Sequence, residues 1–239
     1  MNSPWHSVTL EGNGNALVRI DGTVGNFGDD GEETLRTIQD AKTIRCVIRS
    51  GGGDSKVAVR WFDFLVERNT TVHVVDRACS AAAIIALAGR TRTIAENAAI
   101  MIHAPMRAVL GNIEQLQFAA DCLKPLRERF AQIISERTKQ CRSVVDSWLA
   151  GADVWLTAEQ ALAAGLVHGI LPQPATPYQL ERAADVRNGC VTDTEQERLC
   201  FDLLRAMGKI EVRDQKRFIN NLIQWALVNA TQDESASSP

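Results

Sequence analysis

From Ala81 to Gly89 the chain reads AAAIIALAG, with no charge, no proline and no polar side chain, and this run constrains the fold more than any other. Its composition favours helix, and a helix that is apolar all round must be buried all round. Such a helix needs layers of structure above and below it. A short strand predicted over 72–75 delivers the chain to it, and further short strands are predicted at 91–94 and 99–103. At the junction stands Ser80, among the small residues Ala78, Cys79, Ala81, Ala82 and Ala83.

The surrounding pattern supplies those layers. Residues 6–11 and 15–20 read as strands joined through Gly12-Asn13-Gly14, a hairpin signal. DGTVGNFGDDG over 21–31 reads as a loop, and 32–40 as a short helix. The run over 43–49 reads as a buried strand that stops in Ser50-Gly51-Gly52-Gly53-Asp54, and 57–68 as an amphipathic helix. A long helix is predicted over 112–138, kinked or interrupted at Pro125. Short helices follow at 143–149 and 157–165, then a last strand at 166–171. Strand–helix–strand alternation over 43–171 argues for a layered α/β fold. Prolines at 172, 174 and 177 mark a boundary, so residues 1–171 are expected to form one domain. Residues 172–239 are then a linker and an appended arm with helices over 192–208 and 213–230 and a frayed tail.

Charge and cysteine usage narrow the function classes. The formal net charge of −3 and the lack of a Lys/Arg cluster give nucleic acid no basis as a partner. No apolar run reaches the length of a membrane span, the N-terminus lacks the pattern of a secretory signal, and a cytoplasmic location is expected. Cys46, Cys79, Cys122, Cys141, Cys190 and Cys200 form no C-x-x-C pair and read as reduced thiols, with no metal site expected.

The candidate chemistry is nucleophilic. A serine hydroxyl needs a base, and the neutral imidazole of His103, closing an apolar run two residues before Pro105, is the candidate. Each residue alone is more often a hydrogen-bonded core group. The glycine run adds bare backbone N–H groups at a strand end, the kind of donor an oxyanion hole uses, as does the N–H of Ala81 at the helix start. A carboxylate must orient the imidazole. Asp153 is favoured because it lies between apolar residues, where an unpaired acid is costly; Asp146 reads as solvated, and Asp54 and Asp76 as caps or turn formers. His6, His73 and His168 read as structural or surface residues.

These blocks together resemble the Clp protease proteolytic subunits. Ile48-Arg49-Ser50-Gly51-Gly52-Gly53 is similar to their Asn-Ser-Pro-Gly-Gly strand end, with Gly51 in place of the proline. Ala78-Cys79-Ser80-Ala81-Ala82-Ala83 resembles Ala-Ala-Ser-Met-Gly-Ala, and Met101-Ile102-His103-Ala104-Pro105 resembles Met-Ile-His-Gln-Pro. The segment from Asp153 to Ala161 resembles Asp-x-Phe-Leu-Ser-Ala-x-Glu-Ala, and Ala164-Gly165-Leu166-Val167 resembles Tyr-Gly-Leu-Val. The resemblance runs in order over about 15–171.

The resemblance implies a crotonase-like α/β fold, a layered β-β-α superhelix, and a serine endopeptidase with Ser80 as nucleophile, His103 as base and Asp153 as its orienter. It implies an oxyanion hole from the N–H groups of Gly53 and Ala81, with peptide bound as an added strand beside Gly51, Gly52 and Gly53. It further implies a homo-oligomeric ring joined through the helix over 112–138, no cofactor, and ATP only through a partner AAA+ unfoldase. The glycine-rich turn, the Trp155-Leu156-Thr157-Ala158 block and the C-terminal arm are similar to phage and prophage relatives, which act in capsid maturation. Two alternatives stand beside these: a non-catalytic ring or scaffold homologue, and an acyl-CoA hydratase or isomerase of the crotonase type, which would use acidic residues absent from the start of the helix at Ser80.

Overall fold

The computed structural model describes residues 5–172; the expected helical arm lies, but for Pro172, outside the described residues. Every described helix and strand belongs to one compact unit. Ala108–Leu110 fall in a second unit, whose remaining residues, Val191–Pro239, are not described.

The sheet begins with a hairpin, β1 (His6–Glu11) antiparallel to β2 (Asn15–Val24), turned through Asn13 at a φ of 69°. From β2 onward the main sheet is parallel. β3 (Thr43–Gly53), β4 (Thr70–Cys79), β5 (Thr91–Ala95) and β8 (Gly169–Leu171) complete the order β1-β2-β3-β4-β5-β8. β4 forks: Thr71–Val74 pair with β5, whereas Arg77–Cys79 pair with β6 (Ala99–Ile102). β7 (Val154–Thr157) runs antiparallel to β6.

Side-chain alternation decides which face carries the core. Ala16, Val18 and Ile20 of β2, Ile44, Cys46 and Ile48 of β3, and Val72 and Val74 of β4 all point inward and are buried. Arg19, Arg45 and Arg49 lie at the intervening positions and are exposed, so β3 is buried on one face, not on both as its apolar run suggests. Three helices cover the inner face. They are α2 (Ser55–Val66), through Ala58, Trp61, Phe62 and Leu65; α3 (Ala81–Ala86), buried throughout; and the C-terminal half of α4 (Ile113–Thr138), through Phe130, Ala131, Ile133 and Ile134. Shorter helices occupy α1 (Glu32–Thr37), α5 (Arg142–Trp148) and α6 (Ala158–Ala163).

Several sequence expectations change. β2 does not end at 20 in a loop; it continues to Val24 because β3 offers a partner as far as Gly53, and the glycine run is itself strand. α4 runs unbroken through Pro125. The ring removes one hydrogen bond, to the carbonyl of Asp121, on an exposed stretch of the helix where solvent can take that bond's place. α4 starts in a capping box in which Asn112 accepts from the Gln115 N–H and the Gln115 side chain accepts from the Asn112 N–H. α3 stops at Ala86 and β8 starts only at Gly169.

Candidate active site

Strand register brings the candidate residues together. β4 and β6 are parallel with Cys79 opposite Met101, so the residues just past their C-terminal ends share one edge of the sheet. Ser80 follows β4 directly, His103 follows β6, and the Ser80 N–H donates to the Met101 carbonyl at 2.8 Å. β7 is antiparallel to β6 with Ile102 opposite Val154, which sets Asp153, the residue before β7, beside His103. Three positions far apart in the chain thus meet at the ends of three neighbouring strands.

Their side chains form a continuous chain. The Ser80 Oγ lies 2.7 Å from His103 Nε2, and His103 Nδ1 lies 3.0 Å from Asp153 Oδ1. An ionised carboxylate only accepts, so Nδ1 carries the proton and Nε2 is left to accept from the serine hydroxyl. The His103 side chain is 13% exposed and that of Asp153 36%. Burial among apolar neighbours is therefore not what singles out Asp153; the β6–β7 register does that. Asp146 is bound elsewhere, to Arg142 at 2.9 Å and Arg127 at 3.4 Å. Asp54 caps α2 by accepting from the Lys56 and Val57 N–H groups. Asp76 lies near enough to Arg49 to help hold its charge, after the closer Asp21.

Ser80 has unusual backbone torsions, φ 53° and ψ −119°. A positive φ is uncommon outside glycine, and the cost is borne where surrounding structure fixes the residue. Here the bond to Met101 and the packing of β3 fix it. Ser80 makes no capping bond to α3; its hydroxyl is turned to His103 instead. The approach of β3 requires glycine at position 52. Its φ is +101°, and a Cβ there would lie 2.7 Å from the Cys79 carbonyl oxygen and 2.8 Å from the Ser80 Cβ.

Of the glycine run, then, it is Gly52 whose α-carbon abuts the serine. Gly53 is the next residue, exposed, with its own α-carbon against the backbone of Val24. Ala81 is fully buried, and its nitrogen would lie 3.3 Å from a Cβ on Gly52. Ser50 reads in the sequence only as part of the strand end, with no role of its own. It is fully buried, and the strand's own alternation marks it as the polar residue following the inward-facing Ile44, Cys46 and Ile48.

The other histidines are remote in role. His73 on β4 pairs with Thr93 Oγ1 at 3.0 Å, His168 Nδ1 accepts from the Arg92 N–H, and His6 packs between Trp5 and Trp61. Among the described residues no group of three His, Cys, Asp or Glu is placed to hold a metal, and no helix is long and apolar enough to cross a membrane.

Comparison with known proteins fits this geometry. The Clp protease family model matches residues 33–174, more than half of the chain. The chain belongs to the Clp protease family. It is also 30% identical over 134 residues to the ATP-dependent Clp protease proteolytic subunit of Ligilactobacillus salivarius (strain UCC118), covering 54% of this chain and 68% of that protein. The mixed α/β architecture with a mostly parallel sheet is that of the Clp-protease and crotonase-like fold, and membership supports a peptidase of the Clp type.

Proposed function

We propose that the protein is a serine endopeptidase in which Ser80 attacks the scissile carbonyl, His103 moves the proton and Asp153 holds the imidazole. The observation that carries this reading is the unbroken hydrogen-bonded chain from the Ser80 hydroxyl through His103 to Asp153, within a chain of the Clp protease family. Attack by Oγ breaks the carbonyl π bond, and His103 Nε2 takes the hydroxyl proton. The imidazolium so formed is stabilised by the carboxylate at its other nitrogen and then protonates the departing amine. Water, deprotonated by the same nitrogen, releases the acid and regenerates the serine. The N–H groups of Gly53 and Ala81 serve as the oxyanion hole, and the substrate lies as an added strand beside Gly51, Gly52 and Gly53.

In this reading peptide cleavage needs no cofactor, and ATP enters only through a partner unfoldase acting on folded substrates. The N-terminal half of α4 supports assembly into a homo-oligomeric ring, since Ile113, Leu116 and Phe118 stand exposed there. A fluorophosphonate probe tests the core of the proposal. Wild type is expected to be labelled on Ser80 and Ser80→Ala not at all; labelling that survives the substitution removes Ser80 from the role. Hydrolysis of casein or short peptides, with light scattering for mass in solution, tests the substrate class and the ring.

A further inference from the structure

The ladder around Ser50 is broken on both sides. Against β2, pairing jumps from Asp21 opposite Arg49 to Thr23 opposite Gly52, so β3 carries an extra residue. Against β4, it jumps from Ile48 opposite Val74 to Ser50 opposite Ala78. Such irregularities re-aim a strand, and the groups that leave the regular ladder need other partners. The Ser50 hydroxyl supplies them. It donates to the Gly22 carbonyl, on β2 at the break, at 2.5 Å, and accepts from the Gly52 N–H at 3.1 Å.

One fully buried hydroxyl therefore ties β2 to the glycine whose α-carbon abuts Ser80. We infer that Ser50 is a positioning residue. Through its paired bonds to Gly22 and Gly52, it fixes the distance and tilt of the Gly52–Gly53 backbone relative to the Ser80 hydroxyl, so the Gly53 N–H is aimed before substrate arrives. The inference rests on the acyl-transfer reading of Ser80 and extends it to a residue that touches neither substrate nor the reacting atoms. An apolar side chain at position 50 fills the same space but removes the hydroxyl's hold on the Gly52 N–H and the Gly22 carbonyl. Donors that must be aligned at the moment of reaction then cost rate, with ground-state binding changed little.

Threonine and valine are near-isosteres, so the pair Ser50→Thr and Ser50→Val carries the same steric burden and differs in the hydroxyl. The experiment measures, on the full chain, the rate of fluorophosphonate labelling of Ser80, kcat and KM on a fluorogenic peptide, and thermal melting. Ser50→Val and Ser50→Ala are expected to label and turn over about 10- to 100-fold more slowly than wild type, with KM within about threefold. Ser50→Thr is expected to stay within about threefold of wild type. Equal rates for the Thr and Val variants, or wild-type rates in Ser50→Ala whatever its melting temperature, would overturn the inference. Should neither β-branched variant fold, Ser50→Ala against wild type decides alone. A wild-type chain that the probe leaves unlabelled removes the reading of Ser80 and this inference together, an outcome distinct from failure at position 50 alone.

Discussion

Two polar clusters, one on each branch of β4, differ in what their side chains hold. On the β6 branch, Ser80, His103 and Asp153 are bonded to one another and partly open to solvent. On the β5 branch, Arg92 is 3% exposed and donates to main-chain carbonyls, those of Leu166 at 2.7 Å, Arg137 at 3.0 Å, and Gly89 and Gly165 at 3.1 Å. Arg137 adds bonds to Leu87 and Gly89 at 2.8 and 2.7 Å. The Arg137 and Leu87 carbonyls are in the last turn of α4 and at the C-cap of α3, where helices leave acceptors unpaired and carry partial negative charge. Those of Gly89, Gly165 and Leu166 lie just past α3 and α6. Burial, and then the nearby Arg137, lower the Arg92 pKa to about 10, still far above neutrality. The difference teaches how to tell the two kinds of polar site apart. Side chains bound to the backbone lock helices in place; side chains bound to each other keep a proton that can move.

The sharpest break of this contrast is Ser80→Ala. It is expected to lower kcat by about 10⁴-fold or more while leaving the melting temperature nearly unchanged. Asp153→Asn should follow, with a loss of about 10²- to 10⁴-fold, because the amide can donate to Nδ1 and favour the wrong tautomer. Circular dichroism should show no change of fold. Arg92→Met should do the opposite. It strands buried carbonyls and is expected to cost about 3 kcal/mol or more in a denaturant titration, with kcat per folded molecule retained. A comparable loss of kcat in the folded fraction would erase the distinction between the clusters.

The smallest effect is expected from pH. Burial lowers the pKa of His6, His73 and His168 below the ordinary 6.5, against a partly opposing Asp29 at His6 and a Thr93 hydrogen bond at His73, and with Arg92 and Arg137 assisting at His168. These histidines bind protons less readily folded than unfolded. Their contribution is therefore full above the unfolded pKa and is lost as pH falls through and below 6.5. Denaturation midpoints should decline between about pH 7 and about pH 5, and His73→Asn should flatten part of that slope.

Much of this was legible in the chain, and the failures have physical causes. The alternation of strands and helices over 43–171 follows from local periodicity, and the buried α3 from its uniform composition. The second half of β4 was hidden because Asp76 and Arg77 look like loop, although pairing with β6 makes them strand. β7 is hidden in a four-residue stretch that follows an acid and ends in a helix cap. Ser80, His103 and Asp153 could be named from their surroundings and from a resemblance. Their meeting depends on Cys79 facing Met101 and Ile102 facing Val154, which no local pattern encodes. The apolar neighbours of Asp153 in sequence suggest a burial that the folded chain does not give it. Ser50 could have been found by parity alone.

Because His103 is anchored by the strand before it and Asp153 by the strand after it, the exposed stretches on their far sides, 106–107 and 150–152, lie outside that anchoring. Loops of this kind accept insertions and exchanges that a packed strand would not. Evolution, or a protein engineer, can therefore vary these connections while Ser80, His103 and Asp153 stay where the sheet has put them.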